Sequence, residues 1–174
     1  MYDFLKDIIL FFNEAGIEYM LSGSVALSVY ILPRATRDFD FVVHLKKENV
    51  DEFVHHFSKK YYCNKDAVLD AVKHESMFNI IDSGSGFKAD FVILKNENFR
   101  QTEFKRRTII NLYDFPVYIV SVEDLLLSKL IWIQDFQSSI QMEDIKNLAA
   151  LNSLDRHYIN DWIKQLKLNT FDLF

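Results

Sequence analysis

Cysteine, proline and glycine are all scarce in this 174-residue chain, with one Cys, two Pro and four Gly. The lone Cys63 cannot close an internal disulfide, and no Cys/His group has the spacing of a zinc site. No apolar run approaches the ~20 residues that span a bilayer. The opening Met1-Tyr2-Asp3-Phe4-Leu5-Lys6-Asp7 carries acids where a secretion signal carries bases. A cytoplasmic protein with no membrane partner is therefore expected. A basic excess is missing too: 20 Lys and Arg stand against 25 Asp and Glu, a net charge of −5. That excludes an electrostatic grip on nucleic acid by the whole surface, though a local basic patch stays possible. Repeats, low-complexity tracts and Pro/Ser linkers are also lacking, so residues 1–174 read as one domain. Apolar residues supply 49% of the chain and Phe alone 16 positions, enough for a thick aromatic core.

Periodicity places the elements. Phe4, Leu5, Ile8, Ile9, Phe11 and Phe12 recur at helical spacing up to a cap at Gly16. Ile17 to Leu21 reads as a short buried strand, and Val25 to Tyr30 as a helix that stops before Pro33. Phe39, Phe41 and Val43 alternate with Asp38, Asp40 and Val42, a strand with a polar start. Glu48 to Tyr61 is amphipathic. Met77 to Ile81 and Phe87 to Leu94 flank Ser83-Gly84-Ser85-Gly86 as a hairpin. A polar basic segment, Asn96 to Arg107, precedes a strand at Val117 to Val120. Ser121-Val122-Glu123-Asp124 then opens a helix running to about Phe136 in capping-box fashion. Helices near Met142–Leu151 and Arg156–Leu166 finish the chain. The expected fold is α+β: a mixed β-sheet flanked by helices over about 1–120, with a helical extension over about 121–174.

Chemistry concentrates in Leu21-Ser22-Gly23-Ser24 and, after 13 intervening residues, Asp38-Phe39-Asp40-Phe41. A strand entering a Gly-Ser turn and then a helix aims backbone N–H groups, a hydroxyl and the positive helix end at one place, which suits a phosphate. Asp38 and Asp40, two apart on a strand, project from one face with Cα atoms ~7 Å apart. Carboxylates so placed repel unless a cation lies between them, and hard oxygen ligands suit Mg²⁺. Asp90 heads the strongly apolar Phe91-Val92-Ile93-Leu94. If its strand lies beside that of Asp38 and Asp40, three carboxylates converge.

This order of hydrophobic–Gly–Ser, Asp-x-Asp and a later lone Asp resembles the polymerase-beta-like nucleotidyltransferase superfamily. Pro33-Arg34-Ala35-Thr36-Arg37 is similar to the lead-in of its small bacterial members, and Ser121-Val122-Glu123-Asp124-Leu125, Lys129 and Glu143-Asp144-Ile145 look like their helical tail. Those members include minimal nucleotidyltransferases, aminoglycoside nucleotidyltransferases and abortive-infection toxins. The resemblance covers roughly residues 17 to 150 and departs at Ser24, where many members carry a second Gly. It implies two Mg²⁺ ions and transfer of a nucleoside monophosphate from an NTP, such as ATP, to an acceptor hydroxyl. Gly23 and Ser24 would hold the triphosphate, Asp38 and Asp40 would bind metal, and Asp90 would be the third, metal-binding and hydroxyl-activating carboxylate. The acceptor is open among a small molecule, tRNA and protein, with an antitoxin as partner in the toxin-like case. A non-catalytic nucleotide-binding module is the remaining alternative.

Several other residues carry two readings. Arg34 and Arg37 serve triphosphate or acceptor, with Arg37 assigned to nucleotide binding, or they pair with the neighbouring acids. Lys129 contacts phosphate from an otherwise apolar helix, or snorkels at the core edge. Arg100, Lys105, Arg106 and Arg107 meet RNA or nucleotide phosphate, or form a solvated helix face. Trp132 and Trp162 read as core, the five His as structural or surface residues, and Cys63 as an inert buried thiol.

Overall fold

The computed structural model describes residues 2–135 and 137–173. Its elements in chain order are α1 (Tyr2–Glu14), β1 (Tyr19–Ser22), α2 (Gly23–Tyr30), β2 (Asp38–Val43), α3 (Val50–Phe57), β3 (Tyr62–Cys63), α4 (Lys65–His74), β4 (Met77–Asp82) and β5 (Phe87–Ile93). There follow α5 (Asn98–Lys105), β6 (Thr108–Leu112), β7 (Phe115–Ile119), α6 (Val122–Trp132), α7 (Ser139–Ala149) and α8 (Arg156–Leu166). The strands form one mixed sheet in the order β3-β4-β5-β2-β1-β7-β6. β2 runs antiparallel to β1 but parallel to β5, and β1 runs parallel to β7.

Alternation along the central strands sorts their side chains between two cores. Phe39, Phe41 and Val43 of β2 and Ala89, Phe91 and Ile93 of β5 are buried in one core with the apolar stripe of α1 and with Phe53 and Phe57 of α3. Edge and offset ring contacts knit this core, such as Phe41 on Phe91 with centroids 5.5 Å apart. The other face is covered where Met20, Leu27, Leu125, Leu126, Ile145 and Trp162 bring α2 and the helical tail onto it. The same alternation sends Asp38, Asp40, Lys88 and Asp90 to this second face.

Four expectations change. The stretch after Tyr61 contains α4, whose N-cap Asn64 accepts a bond from the Ala67 N–H. The basic segment contains α5, whose Phe99, Glu103 and Phe104 face inward. β6 went unread because its apolar residues do not alternate with polar ones; it is an edge strand, and Ile109 lies exposed. The tail helix closes at Trp132, and the expected end at Phe136 lies outside the described residues. Among the described residues no helix is long and apolar enough to cross a membrane.

Candidate active site

β1 ends at Ser22, directly opposite Asp40 of β2, and α2 begins at Gly23 with φ +60°. A Cβ on Gly23 would stand 1.8 Å from Asp40 Oδ2, so the backbone and the carboxylate approach as only glycine allows. Burial pushes the Asp40 carboxyl above the usual carboxylate range. The negative charges of Asp90 and Asp38 push the same way, while the Ser24 N–H and the Lys129 ammonium oppose them.

The parallel register of β2 and β5 sets Asp40 against Asp90 and Asp38 against Lys88. All four side chains therefore share the second face. Lys88, which the sequence reading passed over, places its Nζ 2.8 Å from Asp90 Oδ2 and 3.8 Å from Asp38 Oδ1. The carboxylate of Asp90 raises the pKa of Lys88 in return. Its signal was present in the sequence: a residue two before Asp90 on the same strand shares its face. Asp90 is 8% exposed, and its second oxygen, Oδ1, is buried with no hydrogen-bond partner.

No group of three or more His, Cys, Asp and Glu among the described residues already stands at metal-holding geometry. The donor chemistry nonetheless fits a hard divalent cation. Asp38, Asp40 and Asp90 supply carboxylate oxygens, one of them an orphaned buried acceptor, and a compact ammonium already stands among them.

Cations approach from the helical side. Lys129 on α6 is only 6% exposed and donates to Asp144 Oδ2 at 2.9 Å and Gln141 Oε1 at 3.1 Å, both on α7. The neighbouring acid Asp144 also pairs with Arg34 at 3.3 Å, and Arg34 donates to Ser24 Oγ at 2.5 Å. Arg34, Ser24, Lys129 and Asp144 are thus one linked group at the Gly-Ser turn. Arg37 belongs to a different place. It is exposed, its carbonyl accepts from the Lys88 N–H, and its guanidinium lies beside Gly86 at the β4–β5 turn.

A cavity of about 450 Å³ runs from Ser22–Ser24 and Asp40 between the sheet and α6. Val42, Val92 and Leu125 give it apolar lining, and Lys95 and Arg100 line it as well. Trp132, read as core, is 61% exposed and stands in this lining, since its end of α6 overhangs the cavity. The basic cluster likewise breaks up. Arg100 donates to Glu103 at 2.9 Å and Ser128 at 2.6 Å, Arg106 pairs with buried Asp124 at 2.9 Å, and Arg107 pairs with Glu18 at 2.8 Å. Folding turns these cations inward to individual acids, so no basic face forms from them. Glu103, unread from sequence, is almost wholly buried, and that burial raises its pKa. Cys63 is half-buried, and desolvation raises its thiol pKa to about 11, which keeps it inert.

No protein-family profile matches the sequence, and no curated protein matches it. Solved structures do match. The lincosamide antibiotic adenylyltransferase LnuA, bound to lincomycin, is 15% identical with a TM-score of 0.56, over 84% of this chain and 94% of that one. The antibiotic-resistance factor ANT(2'')-Ia is 12% identical with a TM-score of 0.64, over 94% of this chain and 89% of that one. An antigenic nucleotidyltransferase-like protein from Paracoccidioides brasiliensis is 15% identical with a TM-score of 0.53, over 91% and 85% of the two chains. The α+β architecture is that of nucleotidyltransferases.

Proposed function

We propose that this chain, built on the nucleotidyltransferase fold, transfers a nucleoside monophosphate from an NTP to an acceptor hydroxyl. The observation that carries the reading is the meeting of Asp40 and Asp90 across β2 and β5 against the Gly23–Ser24 turn, with Asp90 Oδ1 buried and unpartnered. In this reading the backbone at Gly23 and Ser24, the Ser24 hydroxyl and the Lys129 and Arg34 cations bind and orient the triphosphate. Asp38, Asp40 and Asp90 would hold Mg²⁺, two ions being the family's number, which when bound neutralises charge developing on the phosphates. The acceptor oxygen attacks the α-phosphorus, the bond from that phosphorus to the bridging oxygen of the β-phosphate breaks, and pyrophosphate leaves with the electron pair. Asp90, set across from Asp40 on the neighbouring strand, takes the hydroxyl proton.

The cavity supports a small organic alcohol as acceptor, because about 450 Å³ with a mixed apolar and polar lining matches small-molecule sites. The two antibiotic-associated structures point to the same class. A cytoplasmic setting suits such an acceptor and an NTP supply.

Incubation with labelled NTPs and Mg²⁺, offering small alcohols, tRNA and protein in parallel, tests the assignment. Label should pass to a small alcohol, and Asp38→Ala and Asp40→Ala should each reduce transfer by roughly 100-fold or more. Variants as active as the parent would overturn the roles of those acids. Label on tRNA or protein instead would identify the toxin-like alternative and direct the search to an antitoxin. NTP binding without turnover on any acceptor would identify a nucleotide-binding module.

A further inference from the structure

We propose that Lys88 is a resident counter-cation of the acid cluster: its ammonium holds Asp90 and Asp38 together in the metal-free protein and gives way when a divalent cation enters. The first half stands on geometry alone, and the second rests on the metal-dependent reading above.

Strand register explains why the ammonium lies where it does. Lys88 is two residues before Asp90 on β5 and directly across from Asp38 on β2, so one side chain faces both acids. Its Nζ stands 2.8 Å from Asp90 Oδ2 and 3.8 Å from Asp38 Oδ1. Without it, three carboxylates on one face would repel each other, and Lys129, which acts on Asp40 from the helical side, is already engaged by Asp144 and Gln141.

The fit is incomplete, and its incompleteness indicates a temporary occupant. Asp90 Oδ1 remains buried without a donor although Lys88 bonds the other oxygen of the same carboxylate. A buried acceptor left unpaired is destabilising, and a six-coordinate cation collecting oxygens from several sides would satisfy it. Lys88 is also built to leave. Its side chain is 35% exposed and consists of a flexible four-carbon stem carrying a compact charge, so it can swing to solvent with the sheet intact. An ammonium and a divalent cation on the same carboxylates repel, so occupancy by one excludes the other.

Lys88→Met in the full chain tests both halves. Free Mn²⁺ is followed by electron paramagnetic resonance during titration, and thermal unfolding is followed in chelator. The variant should bind Mn²⁺ roughly tenfold tighter than the parent. In chelator it should melt about 3 °C lower, and adding Asp90→Asn should restore the lost stability. Equal Mn²⁺ affinities would overturn the displacement while leaving metal binding intact. A variant that binds Mn²⁺ where the parent binds none would uphold the lysine as the site's cation and overturn metal dependence in the parent. Absence of binding by both would overturn the displacement and the metal-dependent reading together. A variant as stable as the parent in chelator would overturn the counter-cation role. So would a variant that fails to fold and is not recovered by Asp90→Asn.

Discussion

At the residue scale, the tightest constraint in the protein is the pair Gly23 and Asp40. Gly23→Ala places a methyl group inside the Asp40 carboxylate and demands φ +60° of a residue that resists it. It should lower stability by about 2 kcal/mol and abolish nucleotidyl transfer, read from a urea midpoint and a labelled-NTP assay. Unchanged values in both would show that the turn relaxes freely. Asp40 itself carries a stability penalty with a definite pH sign. Its raised pKa means the folded chain holds the proton at pH values where the unfolded chain has released it. Stability therefore falls as pH rises from the ordinary Asp range through the raised value, and stays lowered above it. Asp40→Asn should accordingly stabilise the metal-free protein by ~1 kcal/mol at neutral pH, with the gain vanishing in acid below the ordinary Asp range. Melting temperatures of both proteins across that range check this.

At the scale of elements, the helical tail supplies the site's second wall. α7 presents Asp144, which gathers Lys129 from α6 and Arg34 from the loop after α2. α5 and α6 are joined on the cavity wall by Arg100, Glu103 and Ser128. Glu103 is held in a nearly waterless position, so its charge is tolerated only because Arg100 and Ser128 contact it. Arg100→Met should cost about 3 kcal/mol by stranding that carboxylate. Combining it with Glu103→Leu should recover most of the loss, since no buried charge then remains. Denaturant unfolding of the three proteins measures it, and a double variant no better than the single would refute the pairing.

At the scale of the molecule, one sheet carries two cores. Leu21 faces the aromatic core with α1 and α3, while Met20, its neighbour on β1, faces the helices of the tail. Losing either core strips a face from the same strands. Thermal unfolding of the whole chain should then be a single transition by near-ultraviolet and far-ultraviolet circular dichroism alike. A chain ended after Val120 should lack a cooperative transition, because Met20, Leu27 and Val42 lose their cover. A sharp transition in that fragment would instead define 1–120 as a separate folding unit.

Local pattern alone was enough to locate much of the chain. The stripe of α1, the alternation of β2 and β5, the Gly-Ser turn and the cap at Ser121 each depend on residues close in sequence, where backbone stereochemistry acts directly. α4 and α5 were obscured because their buried faces are narrow and their composition polar. Strand register lay beyond local pattern. It decided that Asp40 meets Asp90 and that Lys88 stands among the acids, while the path of the loop after α2 brings Arg34, rather than Arg37, to Ser24. Trp132 and Arg100 show the same division, since helical periodicity marks a residue's face but not what lies opposite it. Charges and rings respond to whatever surrounds them in space, and contacts made across the sheet join residues that the chain keeps dozens of positions apart.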